Sequence, residues 1–220
     1  MIEHHIQRTI IERLTYADSL RFSKLKPDGM ESNIFMYHLK QLIKDGYVEK
    51  KDTSYRLSSL GLTYVDGLST TSQNPRQQPK LIAIIALHDA AGRWLLAERK
   101  TQPYIGTRMF ISGKQHRGED FTEHALRELR EKTGLSTNLR QQGVANIQIH
   151  NQSGELLTHA AALVNVGEVA STALPTDSER FHFVWHDFTV DQAILMPGTR
   201  EIYEKLRTPK PFGISLSLSE

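Results

Sequence analysis

The sequence predicts an α+β protein of two domains, the first mainly helical and the second built on strands. At 220 residues the chain is long for one compact unit, because domains usually contain about 100 to 150 residues. Residues 70–79 contain no large apolar side chain and two prolines, a composition typical of a linker. Helical periodicity precedes this segment and apolar strand-like runs follow it. We therefore expect domains at 1–69 and 80–220.

Composition narrows the class of protein. Hydrophobic residues make up 39% and charged residues 24%, which is ordinary globular usage. The chain has no cysteine, which excludes disulfides and thiolate metal sites and favours a reducing cytoplasm. No apolar run approaches the roughly 20 residues needed to span a bilayer, so no membrane role is expected. A net charge of +2 does not by itself imply a nucleic-acid partner.

The first two helices follow from spacing and turn signals. Apolar residues at three- and four-residue intervals predict a helix over residues 3–16 with one buried face. They are Ile6, Ile10, Ile11 and Leu14. A short helix is expected over residues 22–25. Pro27, Asp28 and Gly29 follow it and predict a turn that ends it.

A third helix and a hairpin complete the first domain. Ser32 is expected to cap the helix, and Gly46 to end it in the left-handed conformation that glycine favours. Its buried face is expected to comprise Phe35, Leu39, Leu42 and Ile43. A polar turn at residues 52–54 then joins two short strands, and the apolar residues of 60–68 predict a fourth helix.

This order of elements resembles a winged helix-turn-helix, and HLKQLIKDGYVEKKDTSYRLSSLGLTY (38–64) is similar to the corresponding part of small bacterial regulators. The resemblance covers residues 3–69 and implies that the third helix enters the major groove of double-stranded DNA while the wing contacts its backbone. It places Ser32, Asn33, Tyr37, His38, Lys40, Gln41 and Lys44 near DNA, with Lys50, Lys51 and Arg56 as phosphate contacts. The first domain contains ten basic and nine acidic residues. This excess of one positive charge is small for DNA binding, so a role as a dimer or protein-contact module stays open.

The second domain opens with two strands, LIAIIALHD and AAGRWLLAER, around a turn at Gly92. A helix is expected over Phe121 to Thr133, ended by Gly134. Its buried stripe is expected to comprise Phe121, Ala125, Leu126 and Leu129. Residues 144–149 and 160–166 are expected as strands, separated by a polar turn at 151–155.

On that helix Glu128 and Glu131 lie one turn apart, with His124 one turn before Glu128. Periodicity alone favours a solvated acidic surface. The whole string from Gly113 to Leu135, however, resembles the Nudix box: Gly, five residues, Glu, seven residues, Arg-Glu, an aliphatic, any residue, Glu-Glu, any residue, Gly, an aliphatic. The matching residues are Gly113, Glu119, Arg127, Glu128, Leu129, Glu131, Gly134 and Leu135. One position departs from the pattern, because Lys132 stands where the second glutamate of the pair belongs.

The resemblance implies a Nudix fold, a mixed sheet between helices, with 199–206 as its last helix. It also implies that Mg²⁺ or Mn²⁺ is held against a diphosphate while water cleaves a nucleoside diphosphate derivative. The implied catalytic residues and metal ligands are Glu128 and Glu131, with the Ser112 carbonyl as a further ligand. Gly113, Glu119, Arg127 and Gly134 would support the box, and Lys132 would meet the substrate. By their charge Arg99 and Arg108 are candidates to contact its phosphates, although the sequence fits ordinary surface arginines equally well.

Lys132 leaves three arrangements open. Its side chain can swing outward, other oxygens or His124 can complete the metal site, or the ammonium can occupy the metal's place and attract phosphate itself. Two functions follow. The leading expectation is a Nudix hydrolase with a winged-helix appendage, favoured by the nearly intact box. The alternative is a DNA-binding regulator, usually a symmetric homodimer, whose Nudix domain senses a nucleotide without cleaving it; Lys132 and the domain pairing favour it. The substrate itself is not predicted.

Two further residues are weaker candidates for the site. Glu179 precedes an aromatic run, where the family often brings another acid toward the metal, although an ordinary loop glutamate is the commoner interpretation. Trp185 is able to stack on a base, but a tryptophan in an apolar strand belongs to the core more often.

Overall fold

The computed structural model describes residues 2, 4–68, 78–191 and 193–219. The chain forms two compact units, Met1–Gln77 and Gln78–Glu220. Most of the expected linker, residues 70–77, lies outside the described residues, and residues 78 and 79 have no regular secondary structure. No helix in the described part of the chain is long and apolar enough to cross a membrane.

The first unit combines helices with a small sheet. Its helices are α1 (His5–Thr15), α2 (Phe22–Leu25), α3 (Ser32–Lys44) and α4 (Ser59–Asp66), and its strands are β1 (Leu20–Arg21), β2 (Val48–Lys51) and β3 (Ser54–Leu57). The strand order is β1-β3-β2, with both pairings antiparallel. The helices and the hairpin therefore lie where spacing and turn signals predicted them.

Periodicity identified most of the first core. The apolar residues of α1 and α3 that share a face are buried, namely Ile6, Ile10, Ile11, Leu14, Phe35, Leu39 and Leu42. Ile43 is only partly buried. The expected capping role of Ser32 is wrong, because Ser32 is the first helical residue and the N-cap position belongs to Glu31, which makes no side-chain cap bond. Gly46 adopts φ +81°, the left-handed conformation expected after the helix.

The second unit is a sheet with helices on it. Its strands are β4 (Lys80–His88), β5 (Trp94–Arg99), β6 (Arg108–Met109), β7 (Ile111–Lys114), β8 (Arg140–His150), β9 (Leu156–Glu168), β10 (Phe181–His186) and β11 (Phe212–Ser219), and its helices are α5 (Phe121–Thr133) and α6 (Thr199–Leu206). The strand order is β10-β5-β4-β9-β8-β11, with β6 paired to β5 and β7 to β4. The sheet is mixed, since β4 with β9 and β8 with β11 are parallel while the other pairings are antiparallel.

Strand β4 explains the layers of this unit. Successive side chains of a strand point to opposite faces, so Ile84 and Ala86 join one buried cluster while Ile85 and Leu87 join another. The first cluster also contains Ile202 and Leu206 of α6, and the second contains Leu129 of α5. The sheet therefore lies between the two helices, which confirms the predicted mixed sheet between helices.

The buried face of α5 differs from the prediction. Phe121 is 49% exposed, whereas His124 and Glu128 are buried beside Ala125 and Leu129. The helix thus turns a histidine and a carboxylate toward the sheet, and this rotation positions the candidate site.

Candidate functional site

The site begins where strand β7 meets helix α5. Gly113 of β7 pairs with Ala83 of β4, which attaches the strand to the centre of the sheet. A Cβ atom at Gly113 would collide with the carboxylate of Glu128. Only glycine leaves room for this carboxylate against β7, which gives the box glycine a packing role.

Two polar contacts fix the start of the helix. Asp120 is the N-cap of α5 and accepts hydrogen bonds from the backbone N–H groups of Thr122 (2.8 Å) and Glu123 (3.4 Å). The bonds from Thr122 and Glu123 lower the pKa of the Asp120 carboxyl. One turn later, Nε2 of the buried His124 lies 3.0 Å from the Gly113 carbonyl. His124 therefore bonds to β7, and the structure does not bring it forward as a metal ligand.

Arg127 joins all three box glutamates. Its guanidinium donates two hydrogen bonds to Glu119, Nε to Oε1 at 2.6 Å and Nη2 to Oε2 at 3.0 Å. Nη1 donates to Glu128 Oε1 at 2.9 Å and to Glu131 Oε2 at 3.0 Å. The bond to Glu119 is the main reason that the pKa of Arg127 is raised. Arg127 thus holds the loop before α5 against the helix, as its supporting role implied.

The same pair controls the charge of Glu119. The hydrogen bonds from Arg127 outweigh burial, and with a further bond from the His116 N–H they lower the pKa of Glu119 to about 2. With its pKa lowered in this way, Glu119 is a carboxylate at neutral pH.

Lys132 occupies the position on which the metal site depends. Its Nζ lies 3.0 Å from Glu128 Oε2 and donates a hydrogen bond to the Ser112 carbonyl. These are two of the oxygens from which the resemblance builds the metal site. The side chain of Glu128 is only 7% exposed, and each of its oxygens faces a cation, Arg127 at Oε1 and Lys132 at Oε2. Of the three arrangements left open for Lys132, the ammonium in the metal's place is the one observed.

These residues do not fit a divalent ion. A metal on the same oxygens would lie beside the Lys132 ammonium, where each unit of like charge costs up to about 4 kcal/mol at 4 Å and an effective dielectric of 20. Among the described residues, no group of three or more histidines, aspartates or glutamates is arranged to hold a metal ion. The magnesium or manganese site expected from the box is therefore not formed by this arrangement of side chains.

The box residues open onto a cleft of about 1080 Å³, which we call the box cleft. Its described charged residues are six basic and three acidic: Lys80, Arg99, Lys114, Arg127, Lys132, Arg180, Glu128, Glu131 and Glu179. The side chain of Glu131 is 58% exposed and points to solvent more than Glu128 does. The ring of Phe181 lies 5.7 Å from Lys132 Nζ and 6.0 Å from the Arg99 guanidinium. The cleft therefore presents an excess of positive charge and an aromatic wall.

Most of the predicted site residues meet at this cleft. Ser112, Gly113, Arg127, Glu128, Glu131, Lys132, Arg99 and Glu179 all line it. Arg108 is not among the described residues that line it, and its Nε donates to Glu98 Oε2 at 3.1 Å, so its contact with a substrate stays a prediction. Gly134 ends α5 at φ +69°. Trp185 is partly buried with the Arg93 guanidinium 5.4 Å from its ring, which agrees with a core role.

Sequence reasoning did not assign Lys80, Lys114, Arg180 or Phe181 to the site. They come from β4, β7 and the start of β10, so only the folded sheet brings them together. The aromatic run after Glu179 was the one local signal for Phe181.

In the first unit the proposed DNA contacts are exposed: Lys40 and Lys44 on α3, Lys50 and Lys51 on β2, and Arg56 on β3. Arg56 Nε lies 2.5 Å from Glu49 on the neighbouring strand, which neutralises part of its charge. Lys50 and Lys51 form no ion pair among the described residues, and as neighbours on β2 they point to opposite faces of the hairpin.

Comparison with known proteins identifies the fold. No protein-family model matches the sequence. No curated protein matches it either. The structure is similar to a MutT protein from Bacillus halodurans (TM-score 0.52, 18% identity, 63% of this chain and 89% of that one). It is also similar to a MutT protein from Methanosarcina mazei (0.50, 20%, 60% and 96%) and a NUDIX hydrolase from Nitrosomonas europaea (0.50, 14%, 68% and 86%). At these identities the likeness is one of fold, and the chain shares the Nudix and MutT fold.

Proposed function

We propose that this protein is a regulator whose Nudix-fold unit binds a nucleoside diphosphate derivative without metal-dependent hydrolysis, and whose first unit is a winged helix that binds DNA. The observation that carries the proposal is the Lys132 ammonium, which contacts both Glu128 Oε2 and the Ser112 carbonyl. A cation supplied by the chain itself stands where a hydrolase would hold its metal.

The charge of the box cleft supports a diphosphate ligand. Six basic and three acidic side chains line the cleft, and Glu119, which pairs with Arg127 beside it, is a fourth acid, so an excess of two positive charges remains among these residues. Arg99 and Lys132 flank the Phe181 ring, so phosphate oxygens bound by these cations would lie beside an aromatic surface. A nucleotide with a diphosphate satisfies both features.

The pairing of the glutamates argues against hydrolysis. Both oxygens of Glu128 already face cations, and Glu131 Oε2 accepts a bond from Arg127. Hydrolysis of a diphosphate requires a group that stabilises negative charge on the leaving oxygens and one that orients water. In this arrangement the carboxylates are occupied in holding the helix and Lys132, so the ligand is bound and not cleaved.

A metal-dependent Nudix hydrolase is the second candidate function. The observation that favours it is the exposure of Glu131, 58% of whose side chain is open to solvent. If Lys132 turned outward on its four-carbon stem, Glu128 and Glu131 would both become available to a cation. This candidate requires an arrangement of Lys132 other than the one observed.

In the proposed regulator the first unit binds DNA. Its exposed lysines lie on α3 and β2, the elements that a winged helix directs at the groove and the backbone. Ligand binding changes DNA affinity only if the ligand binds the DNA-competent and incompetent states differently. We expect the two affinities to be coupled in the full chain.

Titration calorimetry in EDTA tests the ligand site. The panel is ADP-ribose, dinucleoside polyphosphates, nucleotide sugars and deoxynucleoside triphosphates. We expect at least one to bind without metal, and Lys132→Met to weaken that binding by about tenfold or more, since it removes the cation and keeps the chain length. Arg130→Met, which removes a charge from the exposed side of α5, is the matched control.

Turnover separates the two candidates. Release of phosphate or nucleotide from the same panel with Mg²⁺ or Mn²⁺ by the natural chain would establish the hydrolase and end the proposal. A salt-titrated mobility-shift assay with the gene's own upstream DNA and a random duplex tests the regulator. If the protein bound neither duplex, a protein-contact role would remain for the first unit.

A further inference from the structure

One edge of the large sheet has no charged residue, no proline and no register shift along the whole length of its strand. Strand β11 is the last strand on its side and pairs only with β8 among the described strands. The pairing runs through eight consecutive residues, from Phe212 to Ser219, without a register shift. The strand contains no charged residue and no proline. Natural sheets normally block such an edge with lysine, proline or a bulge, because its free N–H and C=O groups accept another strand.

The opposite edge shows the contrast. Strand β10 contains His182, whose exposed ring lies 2.5 Å from Asp177, and Arg180 directly precedes the strand. Charged and titratable side chains thus border that edge. Lys210 and Pro211 precede β11 in the same way, so the two edges differ by the histidines within β10 and by the contact of His182 with Asp177.

The side chains of β11 alternate regularly. Phe212, Ile214, Leu216 and Leu218 are partly buried, whereas Gly213, Ser215, Ser217 and Ser219 are exposed. Phe212, Ile214 and Leu216 pack on the core under α6. One face of the strand is therefore apolar along its whole length, and the other is small and polar.

We propose that β11 pairs antiparallel with β11 of a second copy of this chain and joins two sheets across a two-fold axis. The strand is complementary to itself. If the two-fold axis is perpendicular to the sheet, it reverses the direction of the second strand but leaves its apolar face on the same side. The leucines of one copy then lie beside those of the other, and the serines beside the serines. Because the strand carries no charge, the copy brings no repulsion. The strand best suited to pair with this edge is uncharged and alternates apolar with small polar residues in the same way. Strand β11 of a second copy has these properties.

The proposal does not depend on the ligand of the box cleft or on DNA. A two-fold dimer would, however, present two copies of the first unit to the two half-sites of a symmetric DNA sequence. Another interface remains testable, because Val144 and Leu163 lie on a shallow groove of the sheet that also reaches β11 at Gly213. A dimer formed through that groove would not require strand pairing.

Sedimentation equilibrium of the full chain tests the proposal. We expect a dimer, and we expect Ser217→Lys to raise its dissociation constant by about tenfold or more, because a lysine on an edge strand opposes pairing with another strand. Ser171→Lys makes the same change at an exposed loop position and should leave the dimer unchanged. A monomeric natural chain, or equal dissociation constants for the two variants, would overturn the proposal.

A label locates the interface independently of folding effects. Since the chain has no cysteine, Ser217→Cys introduces a single thiol for a nitroxide. We expect strong dipolar broadening between the two labels of a dimer at position 217 and none for Ser171→Cys. No broadening at position 217 in a dimeric sample would place the interface elsewhere and reject β11.

Discussion

The Lys132 ammonium lies 3.0 Å from Oε2 of Glu128, one turn earlier on the same helix. Arg127 donates to the other oxygen of that carboxylate at 2.9 Å. A nearly buried glutamate is thereby paired twice, and its charge is already balanced within the chain. This pairing distinguishes the site from one that needs a metal to balance its acids.

Lys132→Glu should create a metal site at the box. The change removes a cation and adds a carboxylate one turn from Glu128, which alters the local charge by two units. We expect the affinity for Mn²⁺, measured by calorimetry, to rise by about 100-fold or more. Arg130→Glu makes the same charge change at an exposed position of α5 and should produce no comparable gain. Tight Mn²⁺ binding by the natural chain would contradict the account of Lys132.

Arg127→Ala should weaken the second unit. The substitution removes the bidentate partner of Glu119 and the hydrogen bond to Oε1 of the nearly buried Glu128, which then keeps Lys132 as its partner among the described residues. We expect this to lower the free energy of unfolding by about 1–3 kcal/mol. Tryptophan fluorescence in a urea titration reports this unit alone, because Trp94 and Trp185 both belong to it.

The control for this loss is Arg130→Ala on the exposed side of the same helix. Its guanidinium makes a bond of 3.3 Å to the Leu126 carbonyl, and its removal should change stability by less than about 0.5 kcal/mol. Similar losses for the two variants would show that Arg127 does not hold the box together.

Glu119→Gln should flatten the acid limb of the stability curve. The folded pKa of Glu119, about 2, lies below its ordinary value of 4.5, mainly because Arg127 donates to it. A depressed folded pKa contributes stability that is complete above 4.5 and is lost as the pH falls toward about 2. Thermal midpoints measured across this range should therefore converge for the natural chain and the variant at low pH. Parallel curves would mean that the pairing contributes no pH dependence.

Gly113→Ala should disturb Glu128 directly. The added Cβ would collide with the carboxylate, and overpacking of this kind costs about 1–3 kcal/mol. At Gly213, by contrast, a Cβ would meet Val144 at an ordinary 3.7 Å. Urea midpoints should fall for Gly113→Ala and stay near the natural value for Gly213→Ala. An unchanged urea midpoint for Gly113→Ala would show that the Glu128 side chain adopts another conformation without loss of stability.

Replacement of Lys50 and Lys51 by alanine should weaken DNA binding uniformly across sequences. Each lost phosphate contact reduces the magnitude of the slope of log affinity against log salt by about 0.9, so the pair should reduce it by about 1 to 2, according to whether one or both lysines reach the backbone. Lys24→Ala, an exposed lysine of α2, is the control. A slope unchanged by the double substitution would remove β2 from any DNA interface.

Local signals in the sequence predicted much of the fold. The bounds of α5, Phe121–Thr133, and of α6, Thr199–Leu206, agree with the expected spans. Helix periodicity and a left-handed glycine at Gly134 are properties of neighbouring residues, so they are readable along the chain. Strand β11 was not predicted, although its alternation of apolar and small polar residues is present in the sequence.

The box spacing by itself determined which residues would assemble around the helix: Gly113, Glu119, Arg127, Glu128 and Glu131 all meet there. Only the tertiary structure decided what Lys132 does. Its four-carbon side chain has many rotamers, and the Ser112 carbonyl that it reaches lies twenty residues away on β7. That carbonyl comes within reach only because α5 packs on β7 with Glu128 turned inward, an arrangement that depends on distant contacts and not on the order of residues within the box.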